Sequence, residues 1–66
     1  MEPRTTREEG LAARLTAERL RRGWTQAQAA ERIGVSLPTY QLWELGRHEP
    51  RGKLVRASVE RFLGGR

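Results

Sequence analysis

Residues 25–46 read TQAQAAERIGVSLPTYQLWELG, and the order of caps, glycines and apolar positions in this stretch decides the fold. Thr25 stands three residues before Gln28, the spacing of a capping box that opens a helix. That helix spans about 26–33, carries Ala27, Ala29, Ala30 and Ile33, and stops at Gly34. Its alanines let a neighbouring helix approach closely. Ser36 caps a second helix over about 37–45, with Pro38 in the first turn, where a missing N–H removes no helical bond. Tyr40 and Trp43, at i and i+3, share a face, and Gly46 closes the helix. Two short helices joined through Gly34, with the small Ala30 four positions earlier, can cross steeply. Val35 is then expected to anchor the turn, with Tyr40 and Trp43 filling the space beneath.

On either side of this unit the chain also reads as helix. Upstream, a helix starting at Arg7 or Leu11 runs to Arg22, with Leu11, Leu15 and Arg19 on one face and Gly23 as its stop. Downstream, the pairs Leu54/Val55, Ser58/Val59 and Phe62/Leu63 repeat every four residues after Pro50-Arg51-Gly52 and end at Gly64-Gly65. Within this stripe Leu54, Ser58 and Phe62 are assigned to the core, and Val55, Val59 and Leu63 to an outer edge. Residues 1–6 are polar and read as a flexible N-terminal arm, leaving 7–66 as a single all-α, four-helix domain.

Composition narrows the function. A chain of 66 residues buries only about 60% of its unfolded surface, which leaves little room for a substrate cleft. There is no cysteine, and the lone His48 cannot build a metal site without help from carboxylates. No nucleophile–base pair or paired-acid site is legible, so neither an enzyme nor a bound cofactor, metal or small-molecule ligand is expected. No apolar run approaches the ~18 residues of a membrane span, and no signal-peptide core follows Met1, so a cytoplasmic, nucleoid-associated protein is expected. The net charge is +5, and twelve of the thirteen basic residues are arginine. Such a balance favours nucleic acid ahead of acidic membranes or acidic proteins, since guanidinium groups bind phosphate bidentately. A coding bias towards arginine is the bland alternative.

With Tyr40 and Trp43 turned inward, the remaining face of the second helix of the central pair carries Leu37, Pro38, Thr39, Gln41, Leu42 and Leu45. A helix held proud of its neighbours has the shape that enters a major groove. The stretch from Leu15 to Pro50 resembles the Cro/C1 (Xre-type) helix-turn-helix regulators, whose fold is lambda-repressor-like. The resemblance rests on Arg19, on Gly23-Trp24-Thr25-Gln26, on Ala30, on Gly34-Val35-Ser36 and on Glu44-x-Gly46-Arg47-x-x-Pro50. It implies a double-stranded DNA-binding transcriptional regulator, a repressor for instance, of phage, plasmid or bacterial type. Thr25 and Gln26 fall where relatives hold a phosphate, which agrees with anion binding at a helix N-terminus. Ser36, Leu37, Pro38, Thr39, Gln41 and Leu42 fall on the recognition-helix face. Arg47, His48, Arg51 and Lys53 follow it, where relatives take the next phosphates. Arg19 and Glu44 match a pair that forms a semi-buried salt bridge in relatives.

The chain also departs from the family. Leu37, Pro38 and Leu42 stand where relatives carry polar base readers, and the larger apolar residue common at Ala29 is missing. Leu37, Leu42 and Leu45 are either readers of thymine methyls or an apolar patch for a protein partner, with burial of Leu45 under the Gly46 turn as a third option. The rival function is therefore a protein-interaction module of the same fold, an antitoxin or regulator subunit; an RNA-binding version draws only on the charge. The family's fifth helix is missing, so the expected assembly is a monomer that forms a homodimer on DNA through Val55, Val59 and Leu63. Trp24, Tyr40 and Trp43 are expected in the core rather than stacked on bases. Glu8, Glu9, Glu18 and Glu31 read as a solvated face, and Arg7, Arg14, Arg21, Arg22 and Arg32 as mostly solubilising.

Overall fold

Capping sets the ends of the elements in a computed structural model, which describes the backbone of residues 7–64 and the side chains of residues 10–64. The expected arm over residues 1–6 lies outside the described residues, as do the side chains of Arg7, Glu8 and Glu9. The four helices are α1 (Arg7–Arg21), α2 (Gln26–Ile33), α3 (Leu37–Glu44) and α4 (Lys53–Phe62), and the described residues contain no strand.

Helix α1 ends as Gly23 takes φ 71° and the Trp24 N–H returns to the Arg19 carbonyl at 3.1 Å. Thr25 then caps α2, with its hydroxyl accepting from the Gln28 N–H at 3.1 Å while the Gln28 side chain accepts from the Thr25 N–H at 2.8 Å. Gly34 closes α2 at φ 97°, a left-handed conformation that a side chain would strain. The N–H groups of Gly34 and Val35 both bond the Ala30 carbonyl, at 2.8 and 3.0 Å, which makes the turn tight. Ser36 caps α3 by accepting from the Thr39 N–H at 3.3 Å.

The core consists of Leu15, Ala29, Ala30, Ile33, Tyr40, Trp43, Val59 and Phe62, with Leu11, Trp24, Val35, Val55 and Leu63 packed against it. Helix α3 lies against both α1 and α2, and α4 packs on α2. Two aromatic residues share this core with the small Ala29: Tyr40 has no exposed surface, and Trp43 meets it edge-on with ring centroids 6.2 Å apart.

One expectation for apolar positions is corrected, and one of the three options for Leu45 is removed. On α4, Val59 is a core residue, whereas Leu54 is 84% exposed. Successive helical residues are separated by about 100°, so when Val55, Val59 and Phe62 face α2, Leu54 is carried out to the side. The Val55-Val59-Leu63 edge is therefore not available for pairing. On α3, Leu45 remains 68% exposed, so the Gly46 turn does not cover it.

Candidate nucleic-acid interface

The face of α3 that points into the molecule is mounted on a polar cluster around Glu44. The Arg19 guanidinium grips this carboxylate with two bonds, Nε to Oε2 at 2.8 Å and Nη2 to Oε1 at 3.2 Å. Its third nitrogen, Nη1, donates to the Trp24 carbonyl at 3.1 Å, so one side chain ties α1 to the start of α2 and to α3. The Tyr40 hydroxyl donates to Glu44 Oε2, and Gln26 Nε2 donates to Oε1 at 3.0 Å. Burial alone would push the Glu44 carboxyl up, but bonds from Arg19, Tyr40 and Gln26 outweigh it and hold the pKa at about 2. Burial in turn raises the Tyr40 phenol, helped by the adjoining carboxylate. The charge is therefore paired and fully ligated rather than available to a ligand.

The cluster reaches the surface through two glutamines. Gln26, half-buried at the first turn of α2, accepts from Gln41 Nε2 at 3.1 Å with its own Oε1. Gln41 is exposed on α3. Of the residues proposed from the sequence, Gln26 and Gln41 are thus brought together, and both are tied to Glu44. Ser36 and Thr39 form a second unit, with the Ser36 hydroxyl donating to Thr39 Oγ1 at 2.9 Å. Leu37 and Pro38 are exposed between these two units, and Leu42 is half-buried.

Beyond α3 the chain reverses at Gly46, where φ is 76°. The Leu42 carbonyl accepts the N–H groups of Arg47 and His48, at 3.0 and 3.4 Å, which presses the following loop onto the end of the helix. Arg47, His48, Arg51 and Lys53 are exposed there and bond no other described side chain. Thr25 is exposed at the other end of the region, with its hydroxyl engaged in the α2 cap.

Reading the sequence missed one cluster. Arg22 lies 5.0 Å from the Trp24 ring centre and 5.1 Å from that of Phe62, and its Nη2 donates to the Phe62 carbonyl at 2.9 Å. Arg32 lies 4.9 Å from the Trp24 ring. Glu18 accepts from Arg22 Nε at 2.6 Å and is half-buried rather than part of a solvated face. Arg22 thus anchors the α1–α2 corner to the end of α4, and Arg32 covers Trp24, in addition to carrying charge. The only local hint was the Arg22-Gly23-Trp24 order, in which a glycine turn can fold the two large side chains together.

No described helix is long and apolar enough to cross a membrane. The helix-turn-helix family model HTH_3 matches residues 15–61, a span that holds α2, α3 and their turn together with the C-terminal part of α1 and most of α4. No curated protein and no solved structure gives a significant match. The family is a DNA-binding rather than a catalytic one. Its match over most of the chain, together with the tight Gly34 turn and the outward-facing α3, places this protein in the Cro/C1-type helix-turn-helix family of DNA-binding transcription regulators.

Proposed function

We propose that this protein is a sequence-specific regulator of phage, plasmid or bacterial type that lays α3 in the major groove of double-stranded DNA. The observation that carries this reading is the uncovered outer face of α3, set between two phosphate-capable edges. One edge is the α2 N-terminus at Thr25 and Gln26, where backbone N–H groups favour an anion. The other is the exposed loop from Arg47 through His48 and Arg51 to Lys53. Ser36, Leu37, Pro38, Thr39, Gln41 and Leu42 would meet the bases. The bonds that tie α3 to α1 and α2 through Glu44 support the reading, because a reading helix must hold one orientation. Residues 7–66 act as one domain, and residues 1–6 as an arm. Two copies would pair on an inverted repeat, since one domain of this kind buries only about 600–1,000 Å² on DNA.

The test is the salt dependence of binding to random and to selected duplexes, measured beside size-exclusion chromatography. If roughly four phosphates are neutralised per copy, log K falls against log salt with a slope of about −3.6. Arg47→Ala weakens binding to all sequences alike. A slope near zero would remove DNA as the ligand. The second reading, a protein-docking module, is favoured by exposed leucines at both ends of α3, Leu45 at 68% and Leu37 at 38%.

A further inference from the structure

The polar groups at the reading end of α3 are partly engaged within the protein. The Ser36 hydroxyl donates to Thr39 Oγ1 at 2.9 Å and accepts from the Thr39 N–H at 3.3 Å. Gln41 Nε2 donates to Gln26, and Gln26 Nε2 to Glu44. Pro38 has no N–H, so the first turn of α3 also presents fewer backbone donors than an ordinary helix start. Beside them the surface is apolar: Leu37, 38% exposed, and Pro38, with Leu42 half-buried. Cationic side chains at Arg47, Arg51 and Lys53, exposed beyond the C-terminal end of α3 on a chain of net charge +5, suit a polyanion laid along the helix better than an apolar protein surface.

The apolar feature of a major groove is the C5-methyl group of thymine. A leucine makes no hydrogen bond, so it is blind to whether the neighbouring exocyclic group is the O4 acceptor of thymine or the N4 donor of cytosine. We infer that the α3 tip reads pyrimidine C5-methyl groups through Leu37, Pro38 and Leu42, and accepts 5-methylcytosine where it accepts thymine. This rests on the proposed DNA-binding function and names the chemistry that this face selects. Cytosine methylation within a site then raises affinity instead of abolishing it.

The experiment begins with duplexes selected from a random library by the full chain. Each thymine of a selected site is replaced in turn by uracil, which removes only the methyl group. Where uracil weakens binding, the T·A pair is exchanged for C·G and for 5-methyl-C·G. Expected is a loss of about fourfold per contacted methyl, corresponding to ~0.8 kcal/mol for one buried carbon, and a similar gain for 5-methylcytosine over cytosine. Leu37→Ala, or Leu42→Ala for a methyl seated deeper, erases both effects while the salt slope holds, and Leu37→Ala also keeps the melting temperature. The inference is overturned if uracil is silent at every position, if 5-methylcytosine gives no gain, if neither variant changes the methyl effect, or if selection yields no preferred sequence. Each of these outcomes leaves salt-dependent binding intact. Absence of salt-dependent DNA binding overturns the function itself, and so separates the two failures.

Discussion

The two sides of α3 divide the chemistry of the helix in an unusual way. The inward side carries a carboxylate, a phenol and an indole, with Glu44 ligated from α1, α2 and α3 itself. The outward side carries Leu37, Pro38, Gln41 and Leu45, all exposed. A surface helix ordinarily turns its apolar stripe inward and its polar residues outward. Here charge and apolar surface are partly exchanged. The exchange teaches that directional bonds to one half-buried carboxylate act beside the burial of Tyr40 and Trp43 in orienting this helix, which leaves its outward apolar residues for a ligand. Helix α4 supplies the ordinary case, with Val59 buried and Leu54 open to solvent.

Substitutions on opposite sides of these helices should therefore behave very differently. The largest effect is expected at Val59, where Val59→Lys places an unpaired charge among Leu15, Ile33 and Phe62 and should abolish the cooperative thermal transition by circular dichroism. Leu54→Lys, one turn away on the open side, should stay within about 0.5 kcal/mol of the parent. If pairing on DNA uses this open side of α4, the same variant also loses cooperative binding at paired half-sites.

Next in size is the mount of α3. Glu44→Ala strands the Arg19 guanidinium, whose side chain is only 15% exposed, and leaves the Tyr40 hydroxyl only the Leu15 carbonyl, at 3.4 Å, as acceptor. Breaking one partner of a buried pair costs about 3–5 kcal/mol, and somewhat less in a partly exposed pair such as this. For a domain of this size each kcal/mol shifts the melting temperature by roughly 4–8 °C, so the loss is easily measured. The Arg19→Ala/Glu44→Ala double variant should be less destabilised than the sum of the single ones. Strict additivity would show that the pair does not act as a unit.

The same carboxylate gives a pH signature. Its folded pKa is held at about 2, below the ordinary 4.5. The stabilisation is therefore fully present above pH 4.5 and is lost as pH falls from there through about 2. A shift of this size corresponds to a contribution on the order of 3 kcal/mol. Urea titrations between pH 6 and pH 2 should show the decline, and Glu44→Gln should flatten it. A variant with the same slope as the parent would assign the acid sensitivity to another group.

The smallest effect on stability belongs to the outward side of α3. Leu45→Ser and Leu37→Ala should melt within about 0.5 kcal/mol of the parent, because neither side chain belongs to the core. Their consequences are expected in binding. A marked drop in stability for either would mean that the outward side supports the fold and is less free than its exposure suggests.

Much of this architecture was legible in the order of residues. Thr25 with Gln28, Gly34, Ser36 and Gly46 place the ends of α2 and α3 correctly, because a cap is decided among residues no more than about four apart. The inward side of Tyr40 and Trp43 followed from helical spacing. The Arg19–Glu44 pairing came from family resemblance, since nothing local joins side chains 25 positions apart. Three-dimensional packing settled the rest. It set the rotation of α4 about its axis, because a stripe two columns wide fits a neighbour in more than one register and the shape of α2 chooses among them. It also brought Gln26 to Glu44 across 18 positions, and Arg22 to the Phe62 carbonyl across 40. Those contacts depend on how close two helices approach and at what angle they cross, and no local pattern in the chain encodes either quantity.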